Sequence, residues 1–575
     1  MKRVLFSIAT LALALVSCNK MLDKGPLDSF ADSNYWSTES SVEYYANSFY
    51  NDFLGYGIST VNGTYFATLN DNQAGYGGFR DWQYNDVKVS NSAWNDAYTE
   101  IRRANIMLNR MEGVEMSDEA RGHWQGVARM MRALQYYDLV RRFGDVPLVK
   151  QELQVADKDL VFGPRVDRDE VMDYVLEDLD FAVSHIYDKV NRTAWSADMA
   201  RAIKAEVCLY EGTYCKYRVA ADGQKAPDAT RANKYLTEAK NAASAIMSNS
   251  AYVLNDSYQA NFNSIDLAGN KEMILYKHYV KDVLAHSLPD YTCSSSSQAG
   301  ITKDAFDAYL FTDGKPKATT SLNATDISST LNAAGNIDIS GLLAVRDPRL
   351  SASVDKAIFP SSHTWKGRLG RSDDVEMTSA SGYGIFKYDS DGLAIGYRVE
   401  TGKNYTDAPL YWLAVVYLEY AEACAELGSC TQADLDKSVN KLRARVAMPD
   451  MTVSPAADPA NNMGVSNLIW EIRRERRVEL MYDYNYRFWD LMRWHQLNKL
   501  DTKLNPNIKL GANIKNDVVA KDAQKVSWNA EGYLIIYPDN DRTYDKKYYF
   551  YPIPTSQISI YEANGYTFKQ NPGWE

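Results

Sequence analysis

Apolar residues recur three and four positions apart in block after block of this chain, which commits most of it to amphipathic helices packed on one another. Val42, Tyr45, Ala46, Phe49 and Phe53 make one stripe, and Trp94, Ala97, Tyr98, Ile101, Ala104, Leu108 and Met111 make a longer one between Ser92 and Gly113. Ser117 can cap a helix carrying Trp124, Val127, Met131 and Leu134 that Gly144 ends. Asp167 with Glu170 resembles a capping box for the next, and further helices are expected over about 197–216 and 230–248. Between 250 and 407 the periodicity disappears. Gly, Ser, Thr and Asn become frequent and short β-like runs such as Met273, Ile274, Leu275 and Tyr276 appear, so this stretch reads as a large irregular insertion. Helical spacing then resumes. Pro409 is expected inside a helix start and Gly428 past its end, and Thr431 with Asp434 forms a second capping box. Helices over about 466–482 and 486–499 follow, and the pair around Gly428 looks like a degenerate tetratricopeptide unit. The expected fold is therefore mainly α, a scaffold of helix pairs with a loop-rich insertion.

The first residues set the compartment. Lys2 and Arg3 precede an apolar stretch at 4–16, thirteen residues long, which suits a signal peptide and falls short of the roughly 20 needed to span a bilayer. It closes on Leu15, Val16, Ser17 and Cys18, which resembles the bacterial lipobox and makes Cys18 the expected lipid anchor. The organisation read from the chain is thus a signal peptide at 1–17, a helical scaffold at 18–249, the insertion at 250–407 and C-terminal helices with a tail at 408–575.

Charge and motifs narrow the chemistry. With 63 basic and 74 acidic residues the formal charge is −11, which argues against a nucleic-acid partner. Cys208 and Cys215, seven residues apart on one helix and so roughly 10 Å apart along its axis, are beyond disulfide reach. There is no CxxC or HExxH, no nucleophile elbow and no phosphate loop, so no metal or cofactor is expected. A paired-carboxylate glycosidase stays open, because its two acids need no fixed spacing. The run from Glu471 to Leu480, with its alternating signs, reads as an ion-paired structural helix that Arg487, Asp490, Arg493 and Trp494 extend. The 41 tyrosines outnumber the 17 phenylalanines and 12 tryptophans together, which suggests a wet, ring-rich surface. The stretch 69–86 concentrates such rings beside Asn70, Asp71, Asn72, Arg80 and Asp81, a mixture able to stack on sugars and bond their hydroxyls or a peptide backbone.

Taken in order, several blocks resemble the SusD/RagB family of outer-membrane nutrient-binding lipoproteins. They are Cys18, WNDAYTEIRRANIML at 94–108, RALQYYDLVRRFGDVPL at 132–148, VMDYVLEDLDFA at 171–182, YLEYAEACAELG at 417–428, IRRERRVELMYDYNYRFWDLMRW at 472–494, YPIP at 551–554 and QNPGW at 570–574. Tyr411 and Trp412 stand where the family often has an arginine. The resemblance implies a tetratricopeptide-like scaffold, anchorage in outer-membrane lipid through Cys18, a TonB-dependent (SusC-like) transporter as partner, and capture of a glycan without catalysis. An oligopeptide, as in the RagB branch, is the alternative ligand, and a lipid-anchored glycan-cleaving enzyme a remote one. Ligand contacts in the family lie in variable loops. By position they are expected at Asp71, Asn72, Tyr76, Arg80, Trp82 and Tyr84 ahead of the Trp94 helix, and at Tyr279, Tyr291, Trp365 and Tyr383 in the insertion.

Overall fold

The computed structural model describes residues 35–575 apart from 61–62, 64, 76–81, 83–84, 290–291, 293–299, 334, 359–378, 517–526, 537 and 539–540. Cys18, Tyr76, Arg80, Tyr84, Tyr291 and Trp365, and the whole of 1–17, lie outside the described residues.

The helical scaffold runs through α1 (Glu39–Asn47), α2 (Ser92–Arg110), α3 (Asp118–Phe143), α4 (Arg168–His185), α5 (Ala197–Tyr217) and α6 (Ala229–Met247). Local chemistry sets their starts: Ser117, Ser196 and Asp228 each accept a backbone N–H three residues on. Consecutive helices from α2 to α6 pack against one another. The scaffold resumes with α7 (Leu413–Glu426), two short helices Gln432–Asp436 and Val439–Arg445, and then α8 (Asn467–Glu479) and α9 (Tyr486–Arg493). Here α7 packs on α5, α6 and α8, and α9 on α5, so the C-terminal helices close onto the N-terminal ones.

Small residues let the helices approach. A Cβ on Gly212 of α5 would lie 2.7 Å from the Leu236 side chain and 2.9 Å from its backbone nitrogen in α6, and one on Gly126 of α3 would lie 2.8 Å from Ile186.

The remainder is built from short antiparallel pairings: β1 (Gln73–Ala74) with β3 (Gly300–Ile301), β2 (Met273–Lys277) with β7 (Ala408–Trp412), a β4-β5-β6 sheet (Ile337–Asp338, Val354–Ile358, Tyr383–Ile385), and a β8-β10-β9 sheet (Leu510–Asn513, Tyr533–Ile535, Ser527–Trp528). Two large apolar cores result, one under the N-terminal helices and one under the insertion and α7–α8.

Three local expectations change. Pro409 belongs to strand β7, opposite Tyr276, and α7 starts only at Leu413. The expected wet tyrosine surface is largely interior: Tyr56, Tyr65, Tyr136, Tyr137, Tyr210, Tyr235, Tyr258 and Tyr388 are all buried. The charge run on α8 is ion-paired, as its pattern suggested, but it points inward. Glu475 takes Arg349 at 2.6 Å and Arg443 at 2.8 Å, and Arg476, which i,i+3 spacing would set against Glu479, pairs with Asp490 at 2.9 Å. Glu479 pairs instead with Arg349 at 2.9 Å and with Arg445. On α9, Arg493 reaches Glu422 at 2.5 Å and Asp490 at 2.8 Å. This network joins α7, α8 and α9 where two cores meet, each charge answered by an opposite one.

Candidate functional site

Where the N-terminal helices face α7 and α9, an open cavity of about 1040 Å³ remains, at the upper end of what a small-molecule site needs. Its walls come from the segment 51–69, the inner faces of α2, α3 and α5, the end of β7, and α8–α9. Tyr411 and Tyr484 sit half-buried in this wall, and Tyr484 packs on both large cores.

The link between α8 and α9 presents rings to the cavity at a conformational cost. Tyr482, Tyr484 and Asn485 have φ of 72°, 42° and 55°, a left-handed conformation that ordinary residues avoid. Asn485 is held by the Asn70 amide at 2.9 Å, and the Tyr484 hydroxyl donates to the Pro409 carbonyl at 2.7 Å. Tyr484, Tyr486 and Trp489 thereby line the cavity, all half-buried. Arg141 and Arg142 of α3 lie over the Trp489 ring at 4.1 and 5.1 Å, and both pair with Asp138. Burial pushes the Asp138 carboxyl up, but the two guanidiniums overcome it and hold the group well below the usual range. Asp52 accepts from the Gln135 amide of the same helix, α3, at 3.3 Å; burial and the neighbouring Glu100 push its carboxyl up to about 7, against the pull of Arg103. Burial likewise raises Glu206 and, much further, Glu419. The site thus combines half-buried rings with carboxyl groups shifted in opposite directions and with paired arginines.

Of the expected ligand residues, the described ones belong to the framework. The Asp71 carboxylate takes both Arg487 nitrogens at 2.7 and 2.8 Å, and Asn72 accepts from Arg477 at 2.6 Å; both side chains are buried. Burial pushes Asp71 up, but Arg477 and Arg487 hold it well below the ordinary carboxylate range. Trp82 is 5 % exposed, stacks on Tyr548 at 4.2 Å and donates its indole N–H to the Thr543 carbonyl. Tyr279 is buried with its hydroxyl on the Gly57 carbonyl, and Tyr383 is buried against Phe306 at 4.7 Å. None of these five presents a face to a ligand, because each answers a charge or fills a core. Tyr484, Tyr486 and Trp489 are absent from the expected contacts, although the ring-dense string YDYNYRFW sits inside a matched block, because the adjacent arginines and acids make it look purely structural; Tyr411 stands out in the sequence only as a departure from the family pattern.

One group among the described residues, Asp169, Glu211 and Cys215, is close enough to hold a metal ion. It does not suit one. Arg168, Arg218 and Arg231 already occupy the carboxylates, the Cys215 thiol donates to Glu211, and burial pushes that thiol up, away from the thiolate a metal needs.

The model of the SusD family matches residues 245–574, and a second, described as starch-binding and associating with the outer membrane, matches 27–207. This chain belongs to the SusD family. A SusD-like protein of Bacteroides ovatus is 23% identical over 541 residues, covering 91% of this chain and 88% of that one. Among solved structures, a SusD-like carbohydrate-binding protein of Bacteroides fragilis superposes with a TM-score of 0.69 at 21% identity, covering 92% of this chain and 99% of that one. A laminarin-binding SusD-like protein superposes at 0.55 with 18% identity, covering 93% and 100%. These likenesses carry the fold of the SusD family, a helix-pair scaffold with a loop-rich insertion. No described helix is long and apolar enough to cross a membrane.

Proposed function

We propose that this protein is a surface lipoprotein of an outer membrane, held by acylated Cys18, that captures an oligosaccharide or polysaccharide without cleaving it and passes it to a TonB-dependent (SusC-like) transporter. The cavity carries the reading: half-buried rings able to lie on sugar faces stand beside carboxyl and guanidinium groups able to bond hydroxyls, in a chain of the SusD family. The lipobox-like leader and the lack of a catalytic motif in the sequence support the anchored, non-catalytic role. Tyr76, Arg80, Tyr84, Tyr291 and Trp365 stay proposed ligand contacts; Gly75, which precedes the first two, borders the cavity.

The test is native electrophoresis of the mature protein, starting after Cys18, through gels holding single polysaccharides. Retardation by one polymer without new reducing ends is expected. Trp489→Ala should weaken it by about 2 kcal/mol, roughly 30-fold, the size of a buried aromatic anchor. Binding of oligopeptides with free migration in every glycan gel would overturn the glycan reading, and steady release of reducing ends the non-catalytic one.

A further inference from the structure

The cavity wall contains polar atoms that the fold leaves unanswered. Among the described residues, both carboxyl oxygens of Glu419, Nη1 of Arg476 and the hydroxyl of Tyr210 are buried without a hydrogen-bond partner, and all three residues border the cavity. Such groups are destabilising, so their presence beside a cavity asks for a reason. Arg476 spends its Nε on Asp490, at 3.0 and 2.9 Å from the two carboxylate oxygens, which leaves Nη1 over. Glu419 is 1 % exposed, and the opposite charge that acts on it most strongly is that same Arg476, with no hydrogen bond between them. Burial pushes the Glu419 carboxyl well above its ordinary range and so favours the protonated form, which offers one donor and one acceptor side by side. The set wants a ligand that both donates and accepts at neighbouring atoms, as vicinal hydroxyls do.

We propose that Glu419 and Arg476, with Tyr210 beside them, form a subsite for the hydroxyl groups of a neutral glycan. The inference rests on the glycan-capture reading above and narrows its substrate class. An anionic sugar is disfavoured because three of the four arginines that line the cavity, Arg141, Arg142 and Arg493, are already committed to Asp138, Glu422 and Asp490. The half-buried Tyr486 ring lies over the Arg476 guanidinium at 5.3 Å, so a sugar reaches the pair by displacing that ring.

Isothermal titration of the mature protein with neutral α-glucan, β-glucan and mannan oligosaccharides, and with a uronate oligomer, tests this alongside thermal melting. Wild type should take a neutral probe and refuse the uronate. Glu419→Gln, which keeps a donor and an acceptor, should bind within about threefold of wild type, whereas Glu419→Leu should lose about tenfold or more, with Tm unchanged or raised. A purely structural Glu419 would show the reverse: lowered Tm and unaltered affinity in Glu419→Leu. Tyr210→Phe, the removal of one oxygen, provides the second variant and should cost about two- to tenfold. Wild-type affinity in both Glu419→Leu and Tyr210→Phe, or preference for the uronate, overturns the subsite while glycan capture stands. Failure of wild type to bind any carbohydrate overturns both.

Discussion

Asp71 shows how a residue that reads as a ligand contact becomes a structural charge. Its carboxylate is the partner of Arg487 and lies 3.6 Å from Arg477, all three side chains being at most 10 % exposed. Asp71→Ala would strand the Arg487 guanidinium, while Arg477 keeps Asp304 at 2.7 Å, at a cost of about 3–5 kcal/mol, the usual penalty for breaking a buried pair from one side. Chemical denaturation should show that loss; an unaltered midpoint would return Asp71 to the list of ligand residues. The sign with pH follows. The folded-state pKa of Asp71 is depressed, so its contribution is present above the unfolded value of about 3.9 and disappears as pH falls below it. Asp52 behaves oppositely, since burial lifts it to about 7. Folding therefore favours its protonated form, and stability from this group declines as pH rises from about 4 to 7. Asp52→Asn should raise Tm at pH 8 and change it much less at pH 4. The local string around Asp71 shows a polar, ring-rich loop but not its partner, which lies more than four hundred positions away.

At the scale of elements, helix ends were legible because they are local. Ser117 caps α3 as its spacing indicates, Thr431 and Asp434 form their capping box, and Gly428 follows α7 in the left-handed conformation at φ 69°. Pro409 misled because its fixed φ also suits a strand. Its carbonyl is claimed by Tyr484 and its neighbours pair with β2, contacts no local rule contains. The close crossing of α5 and α6 makes a sharper prediction. Gly212→Ala improves intrinsic helix propensity by about 1 kcal/mol, yet the added methyl would meet Leu236, including its backbone, at under 3 Å. Overpacking of this kind costs about 1–3 kcal/mol, so the variant should melt lower than wild type by calorimetry. A higher Tm would mean that α6 yields freely at the crossing.

For the molecule as a whole, the proposed reading makes anchorage and capture separable. Cys18→Ala should move the protein out of the outer-membrane fraction while the purified chain keeps its gel retardation, because every residue that lines the cavity lies at position 51 or beyond. Persistence in the membrane fraction would assign retention to the transporter rather than to lipid. The helix-rich class, the irregular insertion and the family follow from the sequence, since periodicity, caps and motif order are short-range signals written along the chain. The interior destination of many of the described tyrosines, the partners of the charges on α8 and α9, and the cavity itself were decided only in three dimensions. A buried charge takes its meaning from the opposite charge that folding brings to it, and a cavity is what remains where two cores meet without filling the space between them.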